Sequence, residues 1–178
     1  MTKDELLAVL KAYREAVDVA RPGLHPDMGE RSRRWSKATQ TELERELELY
    51  LLQASVPSCT VRLFFKTGRE LVYGGCNRQF AQDAGLPSAR DIIGLNDFDS
   101  RISWVAQAAK YRRDDREVME RGQPRLGIIE RQSSASGMIW LDTSKVPILD
   151  GGRSIGIFGT YEVIDAKTAS RRSLDRQR

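Results

Sequence analysis

The chain has few side chains of the kinds that bind metals or make bonds. Two cysteines, Cys59 and Cys76, and one histidine, His25, cannot build a Cys/His zinc cluster or a disulfide framework. No phosphate-cradling glycine loop or G-x-S-x-G elbow is present, and residues 59–164 hold no histidine. Without convergent acid, base or nucleophile groups the reading is non-enzymatic. What remains are polar groups set in apolar runs. Trp104 and Tyr111 each add one polar hydrogen to a large apolar body. Glu130 shares a strand face with Ile128, where a buried carboxylate needs a donor. Lys145 on a neighbouring strand is one candidate, and an exposed cross-strand pair is the plainer alternative.

These groups must be positioned by ordinary amphipathic elements. Residues 2–20 place Leu6, Leu7, Leu10, Tyr13, Ala16 and Val17 at helical spacing, opened by Thr2 and Glu5 as a capping box. Residues 21–34, with two prolines and two glycines, read as a loop. A second helix is expected over 36–53, with Leu43, Leu47, Tyr50 and Leu51 on one face. The period then changes to two, giving strands at 60–66 and 70–74 joined as a hairpin. Short helical turns over 77–93 follow, with Asn77 as an N-cap, then a longer helix over 103–121. That helix aligns Trp104, Ala108, Tyr111, Val118 and Met119. Three further strands are expected at 126–132, 138–146 and 154–164. Alternation puts Leu141, Thr143 and Lys145 on one face and Trp140, Asp142 and Ser144 on the other. It also groups Ile157, Gly159 and Tyr161. The fold class is α+β, with a five-stranded antiparallel sheet.

Charge and hydropathy narrow the partners. The net charge of +4 divides as −1 over residues 1–58 (9 basic, 10 acidic), +2 over 59–164 (15 and 13) and +3 over 165–178 (5 and 2). Most of the excess is terminal, and Arg112, Arg113 and Arg116 alternate with Asp114, Asp115 and Glu117 as on a solvated helix face. This argues against a nucleic-acid partner. No stretch is apolar enough to span a membrane, and the start MTKDELLAVLKAYREA lacks a secretory layout, which points to a cytoplasmic protein.

CNRQFAQDAGL, IIGLNDFD, YRRDDREVMERGQP, WLDTSKVPILDGG and IGIFGTYEVID together resemble PAS sensory domains in order and spacing. The resemblance covers about residues 58–165 and is nearest to PAS domains ahead of histidine kinase, diguanylate cyclase or chemoreceptor modules in bacteria. It implies helices on one face of the sheet, an N-terminal helical extension over 1–57 and a basic tail or linker over 166–178. It also implies a ligand cavity between helix and sheet, touched by Trp104, Tyr111, Ile128, Glu130, Leu141, Thr143, Ile157, Gly159 and Tyr161. The cofactor is unknown, with noncovalent flavin, haem or a small metabolite open. Light-sensing relatives carry a cysteine where this chain has Asp97, so cysteinyl-flavin photochemistry is excluded. A homodimer is expected through the stripe Leu43, Leu47, Tyr50 and Leu51, docking of the stripe onto the domain's own sheet being the alternative, with Trp140 pointing away from the pocket into a dimer contact. The function implied is a sensor relaying ligand binding through its flanking helices to an output domain or partner protein. A ligand-free interaction module is the alternative. Whether the chain stands alone or is cut at a linker is open at this point.

Overall fold

The computed structural model describes residues 1–176. Helix α1 (Lys3–Ala20) opens at the Thr2/Glu5 capping box. A short helix α2 (Met28–Ser32) interrupts what reads as a loop. Helix α3 (Gln40–Gln53) starts at a second capping box, Thr39/Glu42, so it begins later than the sequence pattern suggests. Strands β1 (Arg62–Thr67) and β2 (Val72–Cys76) form the first hairpin, followed by α4 (Arg78–Ala84). Helix α5 (Ala108–Arg121) ends at Gly122, whose φ of 59° suits a residue without Cβ. Strands β3 (Arg125–Ser134), β4 (Gly137–Asp150) and β5 (Arg153–Ile164) complete the sheet. Residues 166–178, expected as a tail or linker, include a helix, α6 (Ala166–Asp175), capped by Asp165; Gln177 and Arg178 lie outside the described residues.

The strand order is β2-β1-β5-β4-β3, antiparallel throughout. Period-two alternation splits the sheet between two cores. Leu63, Phe65, Val146, Ile148 and Phe158 point to one face, where α1 lies across β4 and β5 and α3 packs on α1. Phe64, Tyr73, Leu141, Ile157 and Tyr161 point to the other, under α4 and α5. Asn77 ties the halves together. Its Oδ1 accepts from the backbone N–H groups of Leu63 and Phe80, and its Nδ2 donates to the carbonyls of Ala54 and Val61.

The stripe assigned to a dimer contact is used inside the chain. Leu43, Leu47 and Tyr50 are buried in the core formed with α1, and Leu51 packs half-buried at its margin. The Tyr50 ring stacks on Tyr13 at 5.1 Å, and Tyr13 meets Phe158 edge-on at 5.4 Å. This stripe therefore cannot form a dimer interface without undocking α3, because burying it on the chain's own core satisfies the same apolar surface. Trp140 is half-buried on the outer face, its ring 5.5 Å from the Arg131 guanidinium. His25 sits against Tyr13 and Tyr50 in this same layer.

Truncating a docked position should expose the difference between the two faces of α3. Leu43→Ala is expected to cost about 2–5 kcal/mol. Leu52→Ala, 67% exposed, should change stability by less than about 0.5 kcal/mol. Urea unfolding at low protein concentration measures both, and equal losses would contradict the docking.

Candidate functional site

Between α5 and the sheet lies a cavity of about 20 Å³, walled by Phe64, Tyr73, Phe80, Trp104, Tyr111 and Leu141 with polar groups between them. Alternation along β1 puts Lys66 on this face, two residues after Phe64, and it is 2% exposed. On α5, Asp115 lies one turn beyond Tyr111 and three residues before Val118, and it is fully buried. The turn 94–99 is built as its composition suggests, with Asn96 Oδ1 accepting from the Phe98 N–H, but Asp97 turns inward.

These residues form one network. Lys66 Nζ lies 2.5 Å from Asp97 Oδ2 and 2.7 Å from Asp115 Oδ2, and Lys145 Nζ lies 2.6 Å from Asp115 Oδ1. Tyr73 Oη and Trp104 Nε1 donate to the other Asp97 oxygen. Burial alone would push the Asp115 carboxyl up, but the ammoniums of Lys145 and Lys66 outweigh it and hold Asp115 below the usual carboxylate range. For Lys66, burial pulls down and the two aspartates more than reverse it. Tyr73 is raised well above its ordinary value by burial and by the charge of Asp97. The ionised state of the network is thus self-consistent, with cations and anions supporting each other.

Of the residues expected at a ligand cavity, Trp104, Tyr111, Glu130, Leu141, Thr143 and Tyr161 line it. Three do not. Ile157 is packed into the core on the same face, and Ile128 is half-buried away from the cavity. Gly159 leaves space for the Phe64 ring, since a Cβ there would lie 2.2 Å from it. Glu130 pairs with Lys110 at 2.6 Å rather than with Lys145, whose ammonium is drawn to Asp115. The reading of Asp114 and Asp115 as part of a solvated face is also corrected, because both are buried. Sequence reasoning missed Lys66, Tyr73, Asp97 and Asp115 as site residues. The available signal was position: Lys66 and Asp115 each fall on the inward phase of an apolar period.

Two hydroxyls at the cavity, Tyr111 Oη and Thr143 Oγ1, are buried and have no hydrogen-bond partner among the described residues. A buried hydroxyl left unpaired costs about 1–3 kcal/mol. Lys145 Nζ makes one hydrogen bond among the described residues, although an ammonium carries three donors. The volume suits about one water molecule. A flavin or a haem does not fit it.

Asp115→Ala should destabilise the fold by about 3–5 kcal/mol, because two buried lysines then share a site with too little counter-charge. Adding Lys145→Met to that change should recover much of the loss, since it leaves Lys66 and Asp97 as a matched pair. Chemical denaturation of the single and double variants measures this, and a double variant weaker than the single would contradict it.

The comparisons with known proteins agree with this architecture. The profile of the family described as PAS fold matches residues 53–169. No curated protein matches the chain in sequence. Among solved structures, VqmA bound to DPO is 21% identical with a TM-score of 0.56, over 68% of this chain and 57% of that one. The Vibrio cholera VqmA–ligand–DNA complex is 23% identical with a TM-score of 0.53, over 66% and 50%. The PAS domain from Bordetella pertussis BvgS is 16% identical with a TM-score of 0.55, over 75% and 96%. The chain thus spans about half the length of the VqmA chains. The VqmA–DNA complex corrects the expectation of no nucleic-acid partner. The net charge of the PAS region says little about what a protein of this fold binds elsewhere along its length. No described helix is long and apolar enough to cross a membrane. With the profile matching about two thirds of the sequence, the chain belongs to the PAS fold family.

Proposed function

We propose that this chain is a sensory PAS module that binds a small ligand between α5 and the sheet and passes the event to its flanking helices. The observation that carries the reading is the pair of unpartnered buried hydroxyls, Tyr111 Oη and Thr143 Oγ1, facing one cavity beside Lys145. A filled, purely structural core would gain by replacing them with apolar groups. The module itself performs no catalysis in this reading: Asp97 and Asp115 are each engaged by more than one donor, leaving neither as a free base.

Two polar connections support a relay. Tyr161, at the cavity wall, donates to Asp83 Oδ2 at 2.9 Å, and Arg62 Nε donates to the same oxygen at 2.9 Å. Arg62 also holds the Thr60 carbonyl, and Thr60 Oγ1 accepts from Arg21 at the end of α1. On the opposite side Arg172 of α6 pairs with Asp142, the residue between Leu141 and Thr143 on β4. Outputs attached to such a module, a kinase or cyclase as in the resemblance or a DNA-binding unit as in VqmA, would receive the signal through α1 or α6.

The module acts as a homodimer in this reading, through the exposed side of α3 next to the buried Leu43, Leu47 and Tyr50. Leu49, Leu52 and Ile93 are exposed around a groove of about 680 Å³ whose floor includes Leu51 and Phe65. The rim carries Glu44 and Glu48 with Arg45 and Arg90, and Glu48 pairs with Arg90 at 3.3 Å. A rim with both signs in equal number is self-complementary, as a twofold contact between identical copies requires.

A thermal-shift screen of small metabolites tests the ligand. A binder at a hundred times its Kd adds about 2.7 kcal/mol, on the order of 5–10 °C in a domain of this size. Thr143→Val and Tyr111→Phe should remove that shift; absence of any binder would favour the ligand-free interaction module. Light scattering tests the pairing. A dimer mass that falls to monomer in Leu52→Glu with Ile93→Glu is expected, and a monomer at every concentration in the unmutated chain would refute it.

A further inference from the structure

We infer that the molecule this cavity accepts is small and uncharged, taking a hydrogen bond from Lys145 and meeting the Thr143 and Tyr111 hydroxyls. This rests on the reading of the cavity as a ligand site and adds its chemical selectivity.

The inference comes from the charge balance around the cavity. On the cationic side stand Lys66, Lys145, Lys110 and Arg125. On the anionic side stand Asp97, Asp115, Glu130 and Asp114. Lys110 bridges Glu130 at 2.6 Å and Asp114 at 2.8 Å, and Arg125 reaches Asp114 at 3.6 Å. Arg125 also reaches Glu117 at 3.3 Å and Glu117 pairs with Arg121 at 2.7 Å, so every charge of the extended network is matched by an opposite one, five against five. An anion drawn to Lys145 would stand beside Asp115, and a cation drawn to Asp115 would compete with two lysines already within 2.7 Å. Either brings an unmatched charge among the largely buried side chains of the wall, where burying an unpaired ion is heavily penalised.

What the wall does leave open is neutral hydrogen-bonding capacity. Lys145 has donors to spare, and each hydroxyl can donate or accept. The surrounding rings of Phe64, Phe80 and Trp104 supply apolar contact for the rest of the molecule. Size is bounded as well. With about 20 Å³ between the walls, room for about one water, a molecule of several heavy atoms enters only if Trp104 or Tyr111 moves.

The test uses three probes of similar size and different charge on the full chain at pH 7 and constant ionic strength: acetamide, acetate and ethylammonium. Binding is read from the NMR signal of the Thr143 methyl group in threonine-labelled protein. Acetamide should shift this signal saturably, with a Kd at least tenfold below that of either ion. If acetate or ethylammonium binds there as tightly as acetamide, the selectivity is refuted while the cavity remains a ligand site. If none of the three moves the signal, the cavity admits nothing of this kind and the ligand reading falls together with the inference. Lys145→Met provides the converse. It leaves the wall one positive charge short, so ethylammonium should gain at least tenfold relative to acetamide, and an unchanged ranking in folded variant would overturn the charge argument. If that variant does not fold, the three-probe comparison on the unmutated chain decides alone.

Discussion

Four buried charges hold the PAS domain of this chain together. Lys66 comes from β1, Asp97 from the turn before α5, Asp115 from α5 and Lys145 from β4. Their pairing therefore fixes two strands, a helix and a loop relative to one another. Removing four ions from water is costly, and the attraction between them repays it only when the geometry is tight and the remaining oxygens are satisfied. Tyr73 and Trp104 meet that second condition by donating to Asp97. An apolar set could fill the same space. What the ions add is directional: each ammonium has defined partners, so α5 has one register on the sheet and the cavity beside it has one shape.

The sheet serves as a shared wall. Adjacent residues of one strand, Phe64 and Phe65, point into different cores, one beneath the cavity and one beneath α1. Close packing transmits displacement well because interiors have little free volume. A change of shape on the cavity side is thus felt on the α1 side without any dedicated hinge. The polar links from Tyr161 to Arg62 and from Asp142 to Arg172 add fixed points at the edges of that wall.

Much of this was legible in the sequence. The change of period near residue 60, the alternation along β4 and β5, and the capping residues Thr2 and Asn77 determine element type and inward face with little ambiguity. The inward orientation of Asp97 and the network were less legible. Asp97, Lys66 and Asp115 belong to residue types that are almost always solvated, and only tertiary partners far along the chain can bury them. The same limit applies to α3. Its amphipathic pattern states that Leu43, Leu47 and Tyr50 must be covered, but the surface that covers them is supplied by α1 and by strands a hundred residues further on. Ile128 and Gly159 illustrate a finer limit, since sharing a face with a cavity does not place a residue at its wall.

The docking of α1 has a consequence for how the chain is made. Leu10 and Tyr13 rest on Val146 and Phe158, which belong to the last two strands. During synthesis, therefore, α1 leaves the ribosome well before β4 and β5; α3 can cover part of its apolar face, and the part that rests on those strands stays uncovered until they are translated. Contacts between such distant segments carry the largest loop-closure entropy and form late. In the interim the helix is a natural client for a chaperone that holds apolar surface. A ribosome that stalls before β4 would release a chain in which α1 has α3 to pack on but lacks the strands that cover the rest of its apolar face.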